Sequence, residues 1–354
     1  MEPHVDTAKL NDLLGRALVD VGAVSIAPLV LIGDRLGLYR ALAGQGAATP
    51  AQLAKRTGTN ERYVREWLNA QAASGYVRYH AESGRYDLSA EQAIAFAQED
   101  SPAFIVGGFE TALAAGRILE KLTDAFQTGE GIGWHEHDHM LFHGVERFFR
   151  PSYNGHLVQA WIPALDGVAA KLEAGARVAD VGCGRGTSTM LMAQAYPASQ
   201  FIGFDYHAES VAAANERARQ AGLGERCRFE VASAKDFPGT AYDFVTIFDA
   251  LHDMGDPIGA SRHVRQAIAD DGTWMIVEPF AGDRVEENLN PVGRAYYAAS
   301  TMICTPCSLS QEVGLALGAQ AGEARMRKVI TDGGFGRFRR ATQTPFNLVY
   351  EARP

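Results

Sequence analysis

The chain is short of cysteine, short of basic charge and without a long unbroken apolar run. Its four cysteines, Cys183, Cys227, Cys304 and Cys307, are too few in 354 residues to form a disulfide framework. A formal net charge of -9 argues against nucleic acid or an anionic membrane as the main partner. The longest apolar stretch, Val21 to Gly33, is broken by Pro28 and reads as too short to span a bilayer. The segment Met1–Asp6 does not read as a secretory signal. No internal repeat and no low-complexity tract is visible. What is present is ordinary for a globular protein: 47% hydrophobic and 21% charged residues. The length suffices for two or three domains, and a cytoplasmic location is expected.

The stretch on which the chain turns is Arg177-Val-Ala-Asp-Val-Gly-Cys-Gly-Arg-Gly-Thr187. A short apolar run ends in glycines at alternate positions, Gly182, Gly184 and Gly186, and a helical stretch follows. Strand, tight glycine turn and helix open a βαβ nucleotide-binding unit. Glycine serves there because it adopts positive φ and lets a ligand approach the backbone. The dinucleotide fingerprint G-x-G-x-x-G/A would need a small residue at 187, where Thr187 stands. Asp180, two residues before the first glycine, suits a ligand with an ammonium group better than a pyrophosphate.

Before this stretch the chain reads as helical. Residues 10–45 carry an apolar stripe at Leu13, Leu14, Leu18, Val21 and Val24, which predicts packing on something, a second subunit being the candidate. Thr49, Pro50 and Gln52 make a capping box that starts a helix, and Gly58 turns the chain. A second helix over 60–73 places Val64, Trp67 and Leu68 on one side, with Gly75 after its end. Residues 76–80 and 85–89 flank Glu-Ser-Gly as a hairpin. Helix-turn-helix plus hairpin is a winged helix. DNA binding is its obvious use, yet residues 1–90 hold ten Lys/Arg against nine Asp/Glu, a net of +1. A DNA-reading face is clearly basic, so a dimerisation and substrate-capping domain is expected over residues 1–95.

Residues 96–165 are expected to form a helical linker and substrate cap. They contain His135-Glu-His-Asp-His139, which matches the H-E-x-x-H zinc pattern. That motif belongs in mid-helix, whereas Gly131 and Gly133 precede it, and Phe142 and Val145 stand where the extended motif needs Gly and His. A polar pocket wall or a turn is the better reading, and no metal is expected.

From 166 to 354 strands alternate with helices. Strands are expected at 177–181, 200–205, 227–232, 243–248 and 273–278, followed by helices and extended runs at 337–341 and 347–351. This predicts an α/β, mostly parallel Rossmann-like sheet with a late antiparallel addition. Asp205 ends the second strand about 20 residues beyond the glycines, the place of the acid that binds ribose hydroxyls in such folds.

The D-x-G-x-G-x-G pattern resembles motif I of class I methyltransferases that use S-adenosylmethionine. With Asp205 and the ends of strands four and five, residues 15–354 resemble the plant-type small-molecule O-methyltransferases. They are similar above all to a bacterial, notably mycobacterial, group with a winged-helix N-terminus. That resemblance implies S-adenosyl-L-methionine as cofactor. It implies that Asp180, Gly182, Gly184 and Gly186 hold its methionine end, that Asp205 binds the ribose, and that Ser233, Ala234 and Lys235 face the adenine. Phe248 and Tyr153 join the cofactor side. Trp134, His135, His139, Phe149, Met302 and Cys304 are placed on the substrate side.

His252 matches the general base of the plant-type enzymes, with Asp253 beside it and Glu278 as the acid that orients it. A second supporting acid is implied near Gln320–Glu323. The chemistry agrees: methyl transfer is a displacement that needs alignment, and a phenol or thiol gains from losing its proton. Cys304-Thr-Pro-Cys307, a single C-x-x-C, reads as pocket lining. The expected activity is methylation of a hydroxyl, thiol or amine on a small, partly apolar molecule by a homodimer. Alternatives are a DNA-binding regulator that senses S-adenosylmethionine and, disfavoured by Thr187 and Asp180, a nicotinamide oxidoreductase.

Overall fold

The computed structural model describes residues 5–354, so most of the Met1–Asp6 segment lies outside the described residues. The chain forms two compact units: residues up to 113 with 142–151, and residues 114–141 with 152–354. The segment 96–165 is therefore shared between the two.

In the first unit Asp6 caps helix α1 (Thr7–Arg35) by accepting from the Ala8 and Lys9 amides. Pro28 sits inside α1 without ending it, so the apolar stretch it interrupts belongs to one continuous helix. A helix tolerates the loss of one backbone donor when tertiary packing holds the next turn, and here Ala27, Val30, Leu31, Gly33 and Asp34 are buried. The 29-residue helix has a window of mean hydropathy 1.8, and by length and composition alone it could cross a membrane. Its N-terminal part leaves Leu13, Leu14, Leu18, Val21 and Val24 exposed.

After α2 (Leu38–Leu42), the Thr49 capping box starts α3 (Pro50–Thr57), and Gly58 at φ 66° ends it. Asn60 caps α4 (Glu61–Ala73), which buries Val64, Trp67, Leu68 and Gln71. Trp67 Nε1 donates to Leu29 O at 2.8 Å, and Tyr39 Oη donates to Gln71 Oε1 at 2.7 Å. Strands β1 (Arg78–His80) and β2 (Arg85–Asp87) pair antiparallel as the wing. Helices α5 (Ala90–Phe96) and α6 (Val106–Ala115) follow.

The second unit carries α7 (Leu119–Thr128) and both ends of α8 (His139–His156), whose middle belongs to the first. Then come α9 (Val168–Ala174), β3 (Arg177–Val181), α10 (Thr187–Ala195), β4 (Gln200–Asp205), α11 (Ala208–Gln220), β5 (Cys227–Val231) and β6 (Tyr242–Phe248). The remainder is α12 (Pro257–Ala267), β7 (Ile268–Pro279), α13 (Pro291–Ala299), α14 (Thr305–Leu309), α15 (Gly322–Asp332), β8 (Arg337–Gln343) and β9 (Asn347–Arg353). The sheet order is β5-β4-β3-β6-β7-β9-β8, parallel from β5 to β7, with β9 antiparallel to both neighbours.

Strand β7 begins five residues earlier than its apolar run suggests, because Ile268 pairs with Tyr242 across an irregular register. Buried Phe204, Val245, Ile247, Trp274, Ile276 and Tyr350 fill one core cluster of the sheet. The order reverses between β3 and β6, so a crevice opens beyond the carboxyl ends of these two strands, where ligands bind in open α/β sheets.

Candidate functional site

The glycine turn leaves β3 at that crevice. Gly182, Gly184 and Gly186 all have positive φ, at 71°, 52° and 78°. They differ in surroundings. A methyl group at Gly186 would lie 2.5 Å from Phe229, so that glycine serves packing. At Gly184 it would meet nothing within 4 Å, so there the backbone stands open to a ligand.

Asp205, at the end of β4, closes the turn. Its Oδ2 accepts from the Gly184 amide at 2.8 Å, and its Oδ1 from the His207 amide at 2.8 Å. Each oxygen keeps a second acceptor position, which is what a pair of vicinal hydroxyls needs. Burial raises the Asp205 pKa, and the two amides counter it. Tyr206 is half exposed, with the Cys307 thiol and Asp205 in its electrostatic surroundings.

Asp180 lies elsewhere than the ammonium-binding reading places it. It is fully buried beneath the turn. Its carboxylate accepts from Ser188 Oγ (2.8 Å), Thr189 Oγ1 (2.6 Å) and Thr246 Oγ1 (2.9 Å). Burial pushes its pKa up to about 6, against those three donors. The group ties β3 to α10 and β6 rather than presenting a free oxygen outward. Ser233 and Ala234 are half-buried on a loop that caps itself, with the Ser233 amide donating to Asp236 Oδ1 at 3.1 Å. Lys235 is exposed and turned to Glu312, 2.8 Å away.

At the end of β6, Phe248 packs against the Tyr153 ring at 5.2 Å. The next residue, Asp249, has φ 48°, a conformation unusual for a side chain with a Cβ. It is held there by Tyr153 Oη (3.1 Å), by Asn347 Nδ2 (3.0 Å) and by its own amide bonded to Val277 O (2.7 Å). Burial, with Glu278 nearby, pushes the Asp249 carboxyl well above its ordinary value.

The turn that follows carries His252, which is 4% exposed. Its Nδ1 meets Glu278 Oε2 at 2.5 Å, and its Nε2 faces Asp253 Oδ1 at 3.1 Å. Glu278 Oε1 accepts from the Leu251 amide at 3.2 Å. Burial opposes charge on the imidazole, but Asp253 and Glu278 outweigh it and hold the His252 pKa well above the ordinary value. The second acid beside His252 is thus the adjacent Asp253. The two positions counted out for it lie otherwise: Glu323 pairs with Arg327 and Arg340, and Gln320 Nε2 donates to Phe280 O.

Cys304 is buried beside this pair, and burial pushes its thiol up to about 12. Its sulfur, a His252 nitrogen and an Asp253 oxygen lie within 4.8 Å of one another. The Ile132 amide donates to Pro306 O at 2.9 Å, and the Trp134 backbone lies near Cys307, so residues 131–137 lie along α14. Met302 packs on buried Ile118, Leu122 and Ile132.

The histidine run does not gather. His135 is exposed on a short turn, His137 is buried, and His139 begins α8, exposed and 3.9 Å from Glu209. Phe149 belongs to the first unit, where its ring meets Phe148. The sequence gives Asn347 and Tyr206 no role and His137 only a place in the histidine run. Only Asn347, two residues after Pro345 at the start of a strand, offers even a weak local signal.

Comparison with known proteins bears on this arrangement. Residues 172–329 match a methyltransferase domain family, and residues 24–98 match the Rv2258c-like winged HTH domain family. The 27-O-demethylrifamycin SV methyltransferase of Amycolatopsis mediterranei is 29% identical over 139 residues, covering 37% of this chain and 51% of that protein. The chain spans about half the length of that relative. Among solved structures, mitomycin 7-O-methyltransferase superposes with a TM-score of 0.69 at 20% identity, covering 99% of this chain and 100% of the other. Human N-acetylserotonin methyltransferase in complex with SAM does so with a TM-score of 0.69 at 17% identity, covering 100% and 99%.

Proposed function

We propose that this chain, a class I methyltransferase domain joined to an N-terminal winged-helix domain, transfers a methyl group from S-adenosylmethionine to a small, partly apolar molecule. The acceptor atom is a hydroxyl oxygen, a thiol sulfur or an amine nitrogen. The observation that carries this reading is Asp205. It is bonded to the amide of the open glycine Gly184 and keeps an acceptor position on each oxygen, at the sheet edge that also holds the His252–Glu278 pair.

The residues fit the cofactor. Asp205 would take the ribose hydroxyls, Gly184 would leave room for the chain of the methionine end, and the Ser233–Ala234 loop would lie beside the adenine. Asp180 supports the turn from below without touching the ligand. S-adenosylmethionine supplies an electrophilic methyl on a sulfonium; what remains for the protein is alignment and proton removal. Glu278 accepts from His252 Nδ1 and so leaves Nε2 as the nitrogen that exchanges protons with the acceptor. Asp253, alongside Nε2, steadies the imidazolium that forms when the acceptor's proton arrives.

Two further parts belong to this reading. The exposed apolar face of α1 seats a second copy of the chain, giving a homodimer, and the enzyme works in the cytoplasm. The winged helix serves that assembly and not DNA: on α4, Arg62 pairs with Glu66 and Arg65 with Glu61, leaving no free basic face there.

Calorimetry with S-adenosylhomocysteine and with NAD tests the cofactor. Binding of the first and not the second is expected, and the reverse would overturn the reading. A screen of phenols, thiols and amines with methyl-labelled cofactor then identifies the acceptor class.

A further inference from the structure

His137 is 5% exposed, and neither Nδ1 nor Nε2 has a hydrogen-bond partner. Burial lowers its pKa, so the ring is neutral, with one donor and one acceptor both unused. A buried polar group without a partner destabilises a fold unless something else employs it. The neighbourhood says what that is. His137 lies within electrostatic reach of Asp253, whose Oδ1 also lacks a hydrogen bond: it faces His252 Nε2 as an ion pair only.

The Trp134 ring stands 6.3 Å from the His137 ring. The same segment packs through Ile132 on the cluster that Met302 joins. The unsatisfied imidazole thus sits on a segment packed against an apolar cluster and within electrostatic reach of the carboxylate at the proposed base. The segment that carries it is pinned by Lys121 to Glu136 and Arg117 to Asp138, so the ring is not adrift.

We propose that His137 is a specificity-determining residue that hydrogen-bonds a second hydroxyl or carbonyl of the acceptor, apart from the group that is methylated. This rests on the reading of the chain as a small-molecule methyltransferase and narrows its acceptors to apolar-framed molecules with two polar groups. The fold carries the unsatisfied ring at a cost in stability, and the acceptor satisfies it.

The test has two arms. Replacing His137 with Phe keeps an aromatic ring of similar size and removes both unsatisfied nitrogens. The unfolding midpoint without ligands should rise, by about 2–4 °C per kcal/mol recovered. This arm does not depend on methyl transfer, so it can fail separately from the proposed function. In the second arm, a naphthalenediol and naphthol are titrated into the protein saturated with S-adenosylhomocysteine. The wild type should prefer the diol by about tenfold, the worth of one hydrogen bond. H137F should lose that preference, and H137N, which keeps a donor and an acceptor, should retain part of it. A lowered midpoint in H137F, an equal preference in wild type and H137F, or a wild type that binds neither probe would each overturn the proposal.

Discussion

Exchanging Asp253 for Asn changes one charge and almost no shape, and it asks whether His252 is held protonated by its neighbours. The ion pair is 3.1 Å long. At an effective dielectric constant of about 20, two unit charges at that distance attract by roughly 5 kcal/mol, a ceiling before solvent takes its share. The Asp253 side chain is 23% exposed, so screening is substantial. A carboxylate this close to an imidazole favours its charged form, so removing the charge lowers the His252 pKa.

The sign follows from the base role. Only the neutral ring accepts a proton, and the His252 pKa is raised. The wild-type rate should climb as pH rises through neutrality and level off only above the ordinary imidazole range. In D253N the whole acid limb should move to lower pH. Below both midpoints the variant then holds more of its histidine in the active form. A less basic ring is a weaker acceptor, but with a Brønsted slope below one that loss is smaller than the gain. The two profiles should therefore cross, with D253N faster at acid pH and slower on the plateau. The assay is kcat against pH with labelled cofactor, alongside an NMR titration of the His252 ring that needs no substrate. Coincident titration curves for the two proteins would refute the ion pair as the cause, and a flat wild-type rate profile would refute His252 as the base.

His252→Ala should lower kcat by about 10²–10⁴-fold and leave S-adenosylhomocysteine affinity nearly unchanged, as calorimetry would register. Asp205→Ala should weaken that affinity by about 1–3 kcal/mol, because buried hydroxyls lose a charged acceptor. Turnover should survive prolonged dialysis against a chelator, since Gly131 and Gly133 precede the His135–His139 run and its histidines fall on an exposed turn, a buried site and the start of α8; activity restored only by added zinc would show otherwise. Leu18, 71% exposed on α1, should give a monomer in light scattering when changed to Glu, whereas wild type should run at twice the chain mass.

The parts legible in the sequence are those whose physics is local. Thr49 and Gln52 announce a helix start because a capping box closes within four residues, and the glycines at 182, 184 and 186 announce a turn because each needs positive φ. The place of Asp205 at the end of β4 is legible because strand length fixes its distance from that turn. The rest depends on partners far along the chain. Asp249 is held by Tyr153, 96 positions before it, and Asn347, 98 after it. Asp180 looks like a ligand-binding carboxylate in one dimension and is enclosed by three hydroxyls in three. Counting along the chain put the second acid at 320–323, whereas space puts it next to His252 itself. Pro28 interrupts the apolar stretch without interrupting the helix; packing behind it carries α1 through.

If His252 is the base proposed above, Glu278 shows why a carboxylate in particular is needed behind it. One of its oxygens accepts from the Leu251 amide and the other from His252 Nδ1. It therefore fixes the turn that carries the imidazole and the tautomer of the imidazole at once. A glutamine at this place could accept from Leu251 only by turning its amide NH₂ toward His252. Nδ1 would then have to accept, the ring proton would move to Nε2, and the nitrogen aimed at the acceptor would lose its lone pair. Two acceptors on one rigid fork hold the proton on Nδ1, so the neutral ring keeps its lone pair on Nε2, the nitrogen that faces Asp253. Asp249 works at the same place from the other side: held in a left-handed turn by Tyr153 and Asn347, it sends the chain from the end of β6 back over the end of β7. The turn reaches Glu278 only because of that bend, so the unusual backbone at Asp249 and the buried acid at 278 are two halves of one positioning device.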